Sequence, residues 1–273
     1  GEGEGSTGGE GEGEGQDLTT DWLTEAFAST NDLSGHTMTF TPADSPNGYT
    51  ACIDPASAYP ESPTPGTALP LGDDDMFAIQ VPHPVPFFGT NYDQFFVSSN
   101  GNVMFASGTV LEDASVNEHF RLPRVSGFLQ DLNPAAGGQV IVNTHSDRYV
   151  ITYENVPVKA VAGVMSFQIV LWTNGIIEIT WLDVSAGYAG VAGLSRGHGL
   201  ASNFVLSDLS HYVACHPVGE GEGEGAAEGE GEGATEGEGE GSAEGEGEGE
   251  GSAEGEGEGA AEGEGEGEGE GAT

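Results

Sequence analysis

The chain carries a serine between two glycines, the pattern of a hydrolase nucleophile. Residues 193–197 read Gly-Leu-Ser-Arg-Gly and match G-x-S-x-G, with Ser195 in the position of the nucleophile. That nucleophile needs a strand that enters a helix, because the strained turn exposes the serine at the helix N-terminus. Gly197, His198 and Gly199 follow here instead, among strand patterns. We therefore predict a glycine-rich strand end, and no catalytic residue.

Three consecutive acids, Asp73, Asp74 and Asp75, form the densest acidic cluster of the region that can fold. Calcium binds several carboxylate and carbonyl oxygens that converge from a loop. The run lacks the spacing of an EF-hand, so a solvated turn before a strand is the simpler interpretation. A calcium site at these aspartates is the alternative. Further acids that the sequence cannot place beside them are Glu112, Asp113 and Asp131.

The two cysteines, Cys52 and Cys215, lie near the two ends of the region that can fold. We expect a disulfide between them, because the pair brackets a domain whose sequence looks extracellular. Free buried thiols are the alternative. Closing so long a loop would stabilise the fold by about 4 to 5 kcal/mol in the chain-entropy model. The absence of a nearby histidine ligand set in the sequence disfavours a zinc site.

Two tryptophans, Trp172 and Trp181, are candidates for stacking on a sugar ring. Aromatic residues in strands more often pack in the core or against a neighbouring strand. The seven histidines of the chain show no local spacing typical of metal ligands. Packing is the simpler interpretation of both tryptophans, and glycan binding through them is the alternative.

The elements that would position these residues follow an apolar period of two from residue 37 onward, which is typical of strands. Residues 166–172 and 176–181 alternate in this way, and Asn174-Gly175 between them favours a tight hairpin turn. Two more hairpins are predicted in the same manner: residues 95–98 with 103–105 across Asn100-Gly101, and residues 139–143 with 149–154.

Further strand candidates complete an all-β pattern. They are residues 37–41, 76–81, 125–129, 190–195 and 211–214. Residues 21–28 alone look helical, with Asp21 as a cap, and the proline-rich residues 55–70 are expected to be loop. Residues 82–86 hold three prolines and cannot form a central strand. About ten to twelve strands predict an antiparallel two-sheet sandwich, jelly-roll-like in class.

Gly-Glu alternation occupies residues 1–15 and 219–273, which leaves residues 16–218 for one β-sandwich domain. The two runs have almost no apolar side chains to bury, so we predict disordered linkers. The longer run could reach at most about 180 Å. Of the 46 acidic residues 26 lie in the runs, so the domain keeps 20 acids against 5 basic residues, a net charge of −15.

The net negative charge of the domain limits the partners that it can bind. Nucleic acid and anionic membranes need clustered basic residues, whereas the five here are scattered. No apolar run approaches the roughly 20 residues of a membrane span. We expect neither nucleic-acid binding nor membrane insertion, and divalent cations remain a candidate partner. The sequence starts within a Gly-Glu repeat, so we interpret the chain as part of a longer protein.

Several motifs resemble those of a known family. Residues 86–92 read Pro-Phe-Phe-Gly-Thr-Asn-Tyr, and residues 96–105 read Phe-Val-Ser-Ser-Asn-Gly-Asn-Val-Met-Phe. This order resembles the signature of nidogen-like (NIDO-type) extracellular modules, and the similarity to a module of large bacterial secreted multidomain proteins extends over residues 20–215. The resemblance implies a β-sandwich of adhesive or architectural surface proteins, outside or on the cell, with no established enzymatic activity.

The leading hypothesis is therefore a non-catalytic structural or adhesive module, spaced by polyanionic linkers. Its expected partners are neighbouring modules of the same protein or copies of itself. The first alternative is a subunit of an extracellular filament or matrix polymer. The second is a carbohydrate-binding module. No cofactor is expected, apart from calcium in the alternative given above.

Overall fold

The computed structural model describes residues 22–45, 48–107, 114–159, 161–184 and 189–216. The predicted Gly-Glu linkers lie outside these ranges, as do Glu112 and Asp113 among the candidate ligands. The described strands are β1 (Thr24–Phe27), β2 (His36–Pro42), β3 (Tyr49–Pro55), β4 (Thr67–Ala68), β5 (Met76–Phe87), β6 (Thr90–Ser98), β7 (Asn102–Met104), β8 (Pro123–Leu129), β9 (Gln139–Thr144), β10 (Arg148–Pro157), β11 (Val164–Trp172), β12 (Ile177–Val184) and β13 (Gly190–Arg196).

The strands form two antiparallel sheets. The six-stranded sheet has the order β1-β13-β8-β7-β6-β5, and the seven-stranded sheet has the order β3-β2-β12-β11-β10-β9-β4. Each sheet buries one face of alternating apolar side chains, since successive residues of a strand point to opposite faces. The expected all-β, two-sheet sandwich is confirmed.

All three predicted hairpins are present. Strands β11 and β12 pair with Ile169 opposite Ile179. In the other two hairpins, Phe96 of β6 lies opposite Met104 of β7, and Ile151 of β10 lies opposite Val142 of β9. Gly101 turns the second hairpin with φ of +76°, and a Cβ there would collide with the carbonyl of Phe128. The Asn-Gly sequence therefore serves both the turn and the packing beneath it.

Aromatic side chains of the seven-stranded sheet cross the core and bond the backbone of the other sheet. Trp181 donates its indole N–H to the Gly127 carbonyl at 2.7 Å. The hydroxyls of Tyr153 and Tyr149 donate to the carbonyls of Ser98, at 2.6 Å, and His83, at 2.9 Å. Each bond satisfies polar atoms that the core would otherwise leave unpaired. These bonds set the position of one sheet over the other.

Gly127 of β8 faces strand β11 of the other sheet. A Cβ at this position would overlap the ring of Phe167 on the facing strand β11. The glycine therefore allows a large aromatic ring to lie directly over the backbone of the opposite sheet.

The proline-rich segment that was excluded from central strands lies at an edge. Strand β5 forms one end of the six-stranded sheet, and its register with β6 breaks between Gln80 and Val85. Pro82 and Pro84 fall within this break, where no ladder donor is required. Because β5 is an edge strand with this break, it can contain three prolines along its 12 residues.

Local patterns were wrong in several places. Strand β3 was not predicted, and β4 lies within residues 55–70, which were expected to be loop. Residues 24–27, predicted as helix, form β1, which pairs with β13 from Thr24 to Phe27. Residues 211–214 were predicted as a strand, but a 3-10 turn, Leu209–His211, ends there and residues 212–214 form no strand. A short helix, α1 (Val116–Arg121), was missed; Ser115 caps it by accepting from the Glu118 N–H. In the described part of the chain, no helix has the length and apolar character to cross a bilayer.

Candidate functional site

The cysteines form the expected disulfide. Cys52 lies in β3 and bonds Cys215, with Cα atoms 4.9 Å apart and a sequence separation of 163. Asp54 reinforces the junction, because its Oδ1 accepts the Cys215 N–H at 3.0 Å and its Oδ2 lies 2.7 Å from His216 Nδ1. The hydrogen bond from His216 lowers the pKa of Asp54. The Ile53 N–H also donates to the Val213 carbonyl. Residues 213–216 are thus held against β3 by covalent and polar contacts.

The aspartates proposed as calcium ligands are divided by the structure. Asp73 and Asp74 lie beside Asp131, and one carboxylate oxygen of each lies within 4.8 Å of the others. Asp75 turns away, and its carboxylate accepts the N–H groups of Gly72 and Met76. Asp75 therefore caps the turn before β5. The cluster that tertiary structure brings together is Asp73, Asp74 and Asp131.

A lysine that sequence reasoning did not single out lies within this acidic cluster. Lys159 Nζ is 3.1 Å from Asp73, 3.2 Å from Asp74 and 3.7 Å from Asp131. Its hydrogen bonds to Asp73 and Asp74 raise the pKa of Lys159 above its ordinary value. The ammonium group therefore supplies positive charge where a divalent cation would otherwise supply it. No local pattern could indicate this contact, because Lys159 is 85 residues from Asp74 in the sequence.

The Asn100-Gly101 hairpin makes hydrogen bonds to the same acidic cluster and its neighbours. Asn100 is buried; its Nδ2 donates to Asp74 Oδ1 at 2.9 Å and its Oδ1 accepts the Leu132 N–H at 3.0 Å. The Ser99 hydroxyl accepts the Asp75 N–H at 2.9 Å. These contacts fix the acidic turn relative to the strand that precedes Asp131. The serines and asparagines of the hairpin therefore have a structural role.

Helix α1 brings a buried ion group to the other end of the six-stranded sheet. Glu118 Oε1 lies 2.9 Å from Nη2 of the buried Arg124, and Glu118 Oε2 lies 2.7 Å from Arg121 Nε. Burial opposes ionisation of Glu118, but the hydrogen bonds from Arg121 and Arg124 outweigh it and lower its pKa. Burial lowers the pKa of Arg124, and Glu118 partly offsets this effect. The pairing keeps both buried groups charged.

A serine and a histidine meet beside this ion group, as in a nucleophile and base pair. His119 Nδ1 lies 2.9 Å from Ser126 Oγ, and His119 Nε2 lies 3.2 Å from Thr24 Oγ1. Thr24 donates to the Leu194 carbonyl, so it accepts from Nε2 and leaves Nδ1 to accept from Ser126. Burial, and then the charge of Arg124, lower the pKa of His119 to about 3. Ser126, His119 and Thr24 are all fully buried.

Ser195, the residue of the hydrolase-like pattern, lies within β13 and is fully buried. Its hydroxyl donates to the Leu122 carbonyl at 2.9 Å and accepts the Gly197 N–H at 3.1 Å. Strand β13 continues to Arg196, so the serine does not occupy a strand-to-helix turn. The hydroxyl serves to join β13 to the chain that enters β8.

The two tryptophans proposed for sugar stacking lie in different environments. Trp172 is partly exposed; its indole N–H donates to Glu178 at 2.9 Å, and the Arg148 guanidinium lies 4.9 Å from the ring centroid. Trp181 is fully buried. The stacking role of Trp181 is therefore corrected, because a ligand outside the domain cannot reach its ring.

One open cavity of about 490 Å³ lies beside the start of β3 and the ends of β2, β5 and β13. The Arg196 guanidinium covers one side of the Phe88 ring at 4.6 Å from its centroid. The cavity is lined by Pro42, Ala43, Asp44, Ser45, Gly48, Phe88, Gly89 and Arg196. Its residues come from three distant parts of the chain, so no sequence pattern could indicate it.

Comparison with known proteins places the fold in a family context. The sequence profile of the family described as NIDO related matches residues 49–215. No curated protein and no solved structure matches the chain. The matched range begins at the first residue of β3 and ends at the second cysteine.

Proposed function

The chain belongs to the NIDO-related family, and from that membership we propose that it is a non-catalytic structural or adhesive module of an extracellular or cell-surface protein. The Gly-Glu runs on both sides would act as polyanionic spacers between this module and its neighbours. The expected partners are adjacent modules of the same protein or other copies of this chain.

The observation that carries the proposal is the disulfide at the two ends of the family match. Disulfides persist in oxidising compartments outside the cytosol. Cys52 and Cys215 enclose almost the whole matched range, residues 49–215. A cross-link over so long a loop stabilises by about 4 to 5 kcal/mol in the chain-entropy account. A module stabilised by this disulfide is suited to the outside of the cell, where no chaperone refolds it.

The chemistry-bearing groups support a structural role in the same way. Ser195 and His119, which match parts of hydrolase constellations, are buried and bonded to the backbone or to neighbouring hydroxyls. Lys159 binds the carboxylates that a metal would use. These groups stabilise the sandwich, and their bonds are directed into the domain.

Two measurements test this proposal. Immunodetection on intact source cells and in their medium should find the chain outside the cell, with a mobility on gels that changes on reduction. Retention inside the cell with free thiols would overturn the location. A fluorophosphonate probe should not label the full chain. Labelling that is lost in Ser195→Ala would instead establish a serine hydrolase.

A second candidate function, a subunit of a filament or matrix polymer, is favoured by strand β5. This strand forms an edge of the six-stranded sheet and contains no Asp, Glu, Lys or Arg along its 12 residues. Such uncharged edges can pair with a further strand, and natural proteins usually protect them with charges. The proline-free part, residues 76–80, includes the exposed Phe77 and Ala78. A second copy of the chain could add its own β5 there.

Sedimentation velocity of the full chain at rising concentration tests this second function. We expect concentration-dependent assembly that Ala78→Glu abolishes. Ala28→Glu adds the same charge at an exposed alanine beyond the opposite edge strand and should assemble like the wild type. Monomers at every concentration would remove the candidate function. Equal loss in both variants would assign assembly to net charge rather than to β5.

A further inference from the structure

We propose that the Cys52–Cys215 disulfide is a mechanical clamp that keeps tension out of most of the sandwich. Tension applied to the chain on both sides of the domain would pass through residues 22–52 and the disulfide. The ten strands from β4 to β13 would be protected from extension. This inference adds a mechanical property to the structural role proposed above and rests on it for its biological use.

The path of the force follows from covalent connectivity. Tension from the N-terminal side reaches Cys52, crosses the disulfide to Cys215 and leaves through His216. The sequence separation of 163 between the cysteines means that residues 53–214 form a side loop of this path. A loop whose two ends are joined by a covalent bond cannot be extended by pulling on the chain outside it.

Polar contacts reinforce the covalent junction. Asp54 accepts the backbone N–H groups of Cys215 and His216, and the Ile53 N–H donates to the Val213 carbonyl. Both sets of bonds join β3 to the last described residues, in parallel with the disulfide. The residues at the point of force transfer are therefore held in place before any load reaches the sulfur atoms.

The loop contains the contacts that join the two sheets. It includes the cross-sheet bonds of Trp181, Tyr153 and Tyr149, which join the two sheets. It also includes the buried pair of Glu118 and Arg124. The family match, residues 49–215, coincides with this loop to within a few residues. The clamp therefore shields the family module itself.

Among the described strands, only β1, β2 and the first part of β3 lie on the loaded path. Strand β1 pairs with β13 over four residues at the edge of its sheet, so it should detach first. Strand β2 lies between β12 and β3, and its Met38 and Phe40 are fully buried. Removing β2 should therefore be the main mechanical barrier. After that step, extension stops at the disulfide.

Single-molecule force spectroscopy on the full chain, held by handles at its two ends, tests the clamp. In oxidised protein, unfolding should release about 30 residues, or at most about 110 Å of contour length at 3.6 Å per residue. The double variant Cys52→Ser, Cys215→Ser should release about 195 residues, or about 700 Å. His216→Ala removes a polar contact but keeps the disulfide, and should behave like the wild type.

Reduction under load keeps the test decisive if the double variant does not fold. Oxidised wild-type protein held after its short unfolding step should, on addition of a thiol reductant, lengthen further by about 580 Å in total. A long release from oxidised protein would overturn the clamp, as would the absence of further lengthening on reduction. Neither outcome depends on where the protein resides, so failure of the proposed location is distinguishable from failure of the clamp.

Discussion

The indole N–H of Trp181, on the seven-stranded sheet, donates to the backbone carbonyl of Gly127, on the six-stranded sheet, at 2.7 Å. Both residues are buried, and the bond crosses the core. Trp181, which the sequence analysis proposed for stacking on a sugar ring, therefore joins the two sheets by a hydrogen bond. Gly127 also lies beneath β11, where a Cβ would overlap the ring of Phe167.

Trp181→Phe should destabilise the domain by about 2 to 4 kcal/mol, because it leaves the Gly127 carbonyl unpaired and opens a cavity. Trp172→Phe, at the partly exposed end of β11, should cost under about 1 kcal/mol. Urea unfolding followed by circular dichroism measures both. Equal losses in the two variants would contradict a special role for the cross-sheet bond.

His119 should make the domain sensitive to acid. Its pKa is about 3 in the folded state against an ordinary value of 6.5, so between these pH values only the unfolded chain binds the proton. Stability therefore falls as pH falls from 6.5 to 3, by a total of about 5 kcal/mol. His119→Gln should be less stable at pH 7 but show a flatter slope from pH 6.5 to 5.

The control for this acid effect is His198→Gln, which replaces an exposed histidine. It should retain the slope of the wild type in the same unfolding measurement over the same pH range. A slope in His119→Gln as steep as that of the wild type would assign the acid sensitivity to other groups.

The stability that depends on Glu25 should change with pH in the opposite direction to the stability that depends on His119. Burial raises its pKa to about 7, with Asp208 and Asp32 adding to the rise, while the Leu209 N–H and the charge of His211 lower it. The folded state therefore keeps a proton that the unfolded chain releases above its ordinary pKa of 4.5. Stability from this group is lost as pH rises from about 4.5 to 7.

Glu25→Gln should accordingly gain stability relative to the wild type at pH 8, and this gain should shrink toward pH 4.5. The amide oxygen can still accept the Leu209 N–H that Glu25 Oε2 accepts at 2.8 Å. Thermal unfolding at a series of pH values measures the difference. Asp93→Asn, at an exposed acid of β6, serves as the control. A gain that does not change with pH would contradict titration of Glu25.

Lys159 should compete with calcium for the carboxylates of Asp73, Asp74 and Asp131. Lys159→Met leaves these acids within 4.8 Å of one another without the ammonium, so it should lower the melting temperature. Calcium should then stabilise the variant, by about 2.7 kcal/mol at a hundredfold excess over the dissociation constant. The wild type should respond less.

Arg148→Met is the matched control for this calcium response. It removes another cation, one paired with Glu61 and Asp147, but leaves the acidic cluster unchanged. Differential scanning calorimetry with and without calcium compares the three proteins. A wild type that gains as much from calcium as Lys159→Met would show that Lys159 does not hold the cation position.

The sequence by itself determined most of the strands and all three hairpins. The period of two and the Asn-Gly pairs act over a few residues, so the turn at Asn174-Gly175 and the pairing of Ile169 with Ile179 follow from local chemistry. The exclusion of residues 82–86 from a central strand followed in the same way, because proline lacks a donor at any location. The bracketing positions of Cys52 and Cys215, together with the extracellular look of the sequence, also favoured their disulfide over free thiols.

Tertiary structure decided the elements and groups that depend on distant partners. Residues 24–27 have a helical pattern, yet they pair with β13 some 170 positions away, because a sheet edge satisfies their backbone bonds. Lys159 reaches Asp73 and Asp74, and Trp181 reaches Gly127, only after the two sheets pack. The physical reason is common to all: local pattern determines which face of a strand is apolar, whereas packing of the two faces determines which side chains meet.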